Sequence, residues 1–157
     1  MRSLAISLYR RTDLLGPLAK DGKALENISS WLQQRPAPQN HFSQAWIDVC
    51  LGIVYWSEAR NEQALPLLNR GSLLETQFDH SLTPWALLVA GRIAIDTGDL
   101  ERATKVLEQA TFAAAVQEDA RALEEAFRWA ANAHLALDGK LPQSVASAIE
   151  WSEKQLP

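Results

Sequence analysis

One cysteine, Cys50, in 157 residues excludes an intrachain disulfide framework and sets the expectation of a reducing, cytoplasmic setting. Glycine and proline are scarce as well, 7 of each, far below the composition of a disordered or collagen-like chain. Basic residues are in deficit: the net charge is -4 and the pI about 5.4. That balance lacks the basic stripe a phosphate backbone would need, so nucleic acid is not an expected partner. Arg10 and Arg11, with Arg2 upstream, form a small basic cluster that reads equally well as a solvated helix face. Long apolar runs are missing too. Trp85 to Ala90 and Ala113 to Val116 fall well short of the roughly 18 residues that cross a bilayer, and no positive region with a clean apolar run opens the chain, so a soluble, unexported protein without a membrane partner is expected. Val (6), Ile (7) and Thr (6) are few beside Leu (23) and Ala (24), a mixture that favours helices over sheets.

Motifs that carry chemistry are also absent. The chain has no "GKS" or "GKT", no "HExxH", no "CxxC" and no glycine-rich loop after a strand. "GKA" at Gly22 and "GKL" at Gly139 read as turns. His41, His80 and His134 stand in separate segments without partners at zinc-site spacing, and Cys50 lies in an apolar helix as a small buried hydrophobe. Glu124 and Glu125 beside Asp119, and Glu101 beside Asp99, fall at helix starts, where the helix dipole favours negative charge. No enzyme, metal or cofactor is expected.

Helix signals fill most of what remains. A short element spans Leu4 to Leu15 and is expected to fray before Gly16 and Pro17. A second, about Lys23 to Gln34, carries one apolar stripe through Ala24, Leu25, Ile28, Trp31 and Leu32 before "RPAPQN" breaks it. The third begins near Ser43 and is apolar over more than half its circumference, so it should pack on two sides. The fourth, about Asn61 to Phe78, tolerates Pro66 only near its first turn. Thr83 is placed to cap a fifth helix, Pro84 to Asp96, and Asp99 a sixth, Leu100 to about Val116, across a turn at Gly98. A seventh runs to Leu137, and a last, more polar one spans about Pro142 to Leu156. Short connections predict sequential antiparallel hairpins.

Two of those hairpins repeat. Laying Leu51 to Gly71 over Ala90 to Ala110 pairs Gly52 with Gly91, Ala64 with Ala103, Leu68 with Leu107 and Gly71 with Ala110, always 39 residues apart. A period of that size with small residues at fixed places marks an αα-hairpin solenoid. Leu51, Gly52, Tyr55, Ala64, Leu68 and Gly71 resemble the tetratricopeptide repeat, with Ala59 in place of its turn glycine; Gly91, Gly98, Asp99, Ala103, Leu107 and Ala110 resemble it again. A degenerate copy follows around Ala131, Asn132, Gly139 and Leu141. The long period is similar to that of helical sensor regions in large bacterial signalling and activator ATPases. The resemblance implies an all-α, right-handed superhelical stack of antiparallel helices in a single domain, 1–157, with a partial N-terminal hairpin at 3–36 and repeats near 43–80, 84–116 and 120–156.

In that family the ligand-facing positions lie on the first helix of each pair. The resemblance therefore points Trp46, Val49, Ile53 and Trp56, then Trp85, Leu88 and Arg92, and Trp129 from the third copy, toward one concave face. Such a face suits an amphipathic helix or an aromatic-bearing extended peptide, with Arg92 fixing orientation through a carboxylate. Burial of the tryptophans between hairpins, or coverage by another part of the chain, are the competing readings. The expected function is a protein-protein interaction module or scaffold segment, with a regulatory role in a larger protein. The alternative is a small-molecule effector sensor with the aromatics closed around its ligand, and self-association is compatible with either.

Overall fold

The computed structural model describes residues 2–16, 23–34, 41–72, 80–141 and 143. Among them it has seven helices and no strand: α1 (Arg2–Leu15), α2 (Lys23–Gln33), α3 (His41–Ser57), α4 (Asn61–Ser72), α5 (Thr83–Asp96), α6 (Leu100–Val116) and α7 (Ala120–Asp138). The final helix expected at 142–156, and the end of the fourth beyond Ser72, lie outside the described residues. Consecutive helices α3 and α4, α5 and α6, and α6 and α7 pack on each other, while α3, α5 and α7 also meet in a row. The domain is all-α, with the neighbour-to-neighbour packing of a helical bundle or solenoid.

The 39-residue period is physical. A methyl group built on Gly52 would stand 2.7 Å from Leu68, and one on Gly91 would stand 2.5 Å from Leu107, both inside contact distance. Each hairpin thus closes with a leucine of its second helix seated on the bare backbone of its first, which only glycine permits. The connections repeat as well. Arg60 N–H donates to the Tyr55 carbonyl, Asp99 N–H to Ala94 and Asp119 N–H to Ala114, each at 2.9 Å. These are Schellman closures, and the residue inside each is left-handed: Ala59 at φ 59°, Gly98 at 80° and Glu118 at 52°. Asp99 and Asp119 cap the helices that follow, accepting from the Arg102 and Ala122 N–H groups at 3.2 Å.

Two local expectations fail. Thr83 does not cap α5: it is already inside the helix, its buried hydroxyl has no partner among the described residues, and the turn before it is tied by Leu82 N–H donating to His80 Nδ1 at 3.1 Å. Pro84 does occupy the first turn, where its missing N–H leaves no bond unmade. Pro66, by contrast, sits beyond the first turn of α4. Its ring faces solvent and α4 continues through it, held by Ala64 and Leu68 in the core. Cys50 is buried as expected, and burial pushes its thiol up to about 11.

Candidate functional site, a groove holding α1

Helix α1 packs across α3 and α5 and reaches α7 through its side chains. At about 100° per residue, Arg2, Tyr9 and Asp13 fall in a stripe roughly 40° wide along α1, with Ala5 and Thr12 at its border. This stripe is the side turned to the repeats. Tyr9 is fully buried; its ring stacks on Trp56 with centroids 5.6 Å apart and planes 18° from parallel, and meets Trp85 edge-on at 5.3 Å. Pairs of this geometry add about 0.5–1.5 kcal/mol to the burial itself. The Tyr9 hydroxyl donates to Glu125 at 3.1 Å and accepts from Arg92 at 3.4 Å. Burial pushes that hydroxyl far above its ordinary pKa, so it stays a donor at any physiological pH.

Charge is arranged around the ring. At one end Asp119, with a side chain only 4% exposed, accepts from Arg2 at 2.8 Å and from Trp85 Nε1 at 2.9 Å. Burial raises the Asp119 carboxyl, but hydrogen bonds from Arg2, Trp85 and the Ala122 N–H outweigh it and hold the group below the usual carboxylate range. At the other end Asp13 pairs with Arg92 and, at 2.9 Å, with Arg128. The Arg92 guanidinium lies 3.9 Å over the Trp129 ring and 5.0 Å from that of Trp56, so aromatic faces hold it flat while it binds the carboxylate. Arg128 is also paired with Glu125.

The eight residues assigned to a concave face divide into three groups. Trp56, Trp85, Arg92 and Trp129 converge on the groove. Val49, Ile53 and Leu88 are fully buried in the hydrophobic core. Trp46 is half-buried and meets the His80 ring edge-on at 4.9 Å, apart from the Tyr9 cluster. None of the eight is open to solvent, and where Trp56, Trp85 and Arg92 converge, α1 is the cover. Trp85 is only 1% exposed, so its replacement by alanine would cost the fold as well as the groove. Arg2, Tyr9, Asp13 and Arg128 were not singled out from sequence as site residues. For the three on α1 the signal is the spacing of an arginine, a tyrosine and an aspartate at seven and four residues on a helix of otherwise low apolar contrast; Arg128 carries no such signal.

No family model matches the chain, and no curated protein or solved structure matches it either. No helix among the described residues is long and apolar enough to cross a membrane, and no group of three or more His, Cys, Asp or Glu among them is placed to hold a metal ion.

Proposed function

We propose that this chain is a protein-protein interaction module, a tetratricopeptide-like stack of αα-hairpins whose inner helices α3, α5 and α7 receive a helix. The observation that carries this reading is α1 itself, a helix bound across those elements by an aromatic anchor and two charged ends. A buried aromatic flanked by paired charges is the arrangement that concentrates binding energy in interfaces between proteins. The glycine-leucine seams and the repeated left-handed turns support the hairpin stack. The sensor alternative requires the space between Trp56 and Trp85 that the Tyr9 ring fills.

Asp13→Lys places a cation against Arg92 and Arg128 and should open α1. Hydrogen exchange on the full chain should then show the α1 amides losing protection while α5 and α6 keep theirs. Affinity capture from the native source should recover a protein with Asp13→Lys that wild type recovers less well and that Arg92→Glu in the same background loses. An identical set of captured proteins from all three would refute the reading.

A further inference from the structure

The contacts of α1 also say what kind of helix the groove selects. We propose, building on the helix-receiving reading above, that the partner is a helix of another protein presenting arginine, tyrosine and aspartate with the seven- and four-residue spacing of Arg2, Tyr9 and Asp13, and that it displaces α1 to bind. Each of the three is read by a different part of the groove. Asp119, buried and already bonded to Trp85, takes one cation. The slot between Trp56 and Trp85 takes a flat ring, and Glu125 at its end accepts a hydrogen bond from a hydroxyl, which phenylalanine would not supply. Arg92 and Arg128 together take a carboxylate. The acidic end and the basic end also set polarity: a helix entering in the opposite direction would bring its arginine against Arg92 and its aspartate against Asp119.

Two features of α1 and its groove leave room for a foreign helix to improve on it. Two buried polar atoms lack a hydrogen-bond partner among the described residues: Thr12 Oγ1 on α1 and Trp129 Nε1 beside Arg92. Unpaired buried groups of this kind weaken an interface. A partner helix with an apolar side chain at the Thr12 position keeps all three recognition contacts and removes one defect. An acceptor reaching Trp129 removes the other. Helix α1 is thus a specific but imperfect occupant, which is what a displaceable cover needs.

The test uses the full chain carrying Asp13→Lys, a second variant carrying Tyr9→Ala with Asp13→Lys, and fluorescent peptides of the Arg2–Leu15 sequence read by anisotropy. The native peptide should bind both variants more tightly than it binds wild type, whose α1 competes in cis. Tyr9→Ala or Asp13→Lys in the peptide should weaken binding at least about tenfold, and Thr12→Val should strengthen it severalfold. Chain variant Arg128→Asp, added to the opened background, should recover the Asp13→Arg peptide. A control peptide with Arg2, Tyr9 and Asp13 all changed to glutamine separates the two levels of inference. Equal binding of control and native peptides overturns the recognition pattern while leaving the helix-receiving reading in place. Binding of neither, with circular dichroism showing folded chains, overturns both. Continued protection of α1 in both variants overturns the proposal too, since no partner could then reach the groove. Concentration-dependent dimers of the opened chain that the native peptide dissociates would assign the groove to a second copy instead.

Discussion

Hairpin α3–α4 and hairpin α5–α6 close on the same seam, Gly52 under Leu68 and Gly91 under Leu107, but they turn between their helices differently. In α5–α6 the left-handed position is Gly98 and the next residue, Asp99, caps α6. In α3–α4 the left-handed position is Ala59 and the next residue is Arg60, whose side chain has no acceptor to offer a helix N-terminus. Arg60 acts otherwise: its guanidinium lies 4.6 Å over the Tyr55 ring and donates to Glu58 at 3.0 Å, pinning the turn from outside. The backbone closure is nonetheless the same, with the same bond at the same length. What two copies must share is the place where the helices approach, because a side chain there would force the facing leucine to move; the turn accepts any residues that reach the same φ and ψ.

The largest effect is therefore expected at the seam. Gly91→Val puts a branched side chain where even a methyl carbon stands 2.5 Å from Leu107, and should cost about 2–3 kcal/mol, as overpacking of tight cores does. Gly52→Val should cost a similar amount against Leu68. Urea unfolding should show a lower midpoint, and Leu107→Ala should rescue part of the Gly91→Val loss, giving a coupling that additive sites lack. A loss below about 0.5 kcal/mol in either hairpin would break the equivalence of the two seams.

Acid should separate the hairpins next, because Asp119 ties α5 and α1 to the start of α7, whereas α3 meets Tyr9 through the Trp56 ring. A carboxyl held below its unfolded value stabilises the fold above that value, about 3.9 for aspartate, and the contribution is lost as pH falls through the folded pKa. Stability should thus decline below about pH 4, with the fluorescence of Trp85 changing as its indole N–H loses an ionised acceptor. Asp119→Asn should remove this acid step and leave a lower, flatter profile. An unchanged acid midpoint in Asp119→Asn would show that another carboxylate governs it.

Much of this architecture is visible in the amino-acid pattern because it is local. Helix spans, the Asp99 cap, the Gly98 turn and the glycine-leucine register depend on residues within one hairpin, where period and turn chemistry suffice. Pro66 and Thr83 depart from expectation because core contacts of their neighbours override local preference. The groove is a different matter. Register alone brings Trp56, Trp85 and Arg92 to one face; the carboxylate that Arg92 meets is not a partner's but that of Asp13, 79 residues away in the same chain, a tertiary fact. Helix α1 has serines at positions 3 and 7 and no strong apolar stripe, so its docking face shows only once the aromatic slot that receives Tyr9 is in place.

The smallest effects probe the turns, and they run in opposite directions. Gly98→Ala introduces a Cβ at φ 80° with no contact to compensate, and should destabilise by about 1 kcal/mol. Ala59→Gly relieves the same strain at φ 59°, but glycine loses more backbone freedom on folding, so the net gain should be a few tenths of a kcal/mol up to about 1. The Arg60 staple decides where in that range it falls. If the staple over Tyr55 is what holds Ala59 left-handed, Arg60→Ala should cost more in the wild-type chain than in the Ala59→Gly chain, since glycine reaches the turn unaided. Thermal melts of the four chains give that difference directly. Equal costs in both backgrounds would mean that Arg60 stabilises the hairpin only through its side-chain contacts with Tyr55, Glu58 and Gln63, and that the Schellman closure itself is enough to hold an alanine at positive φ.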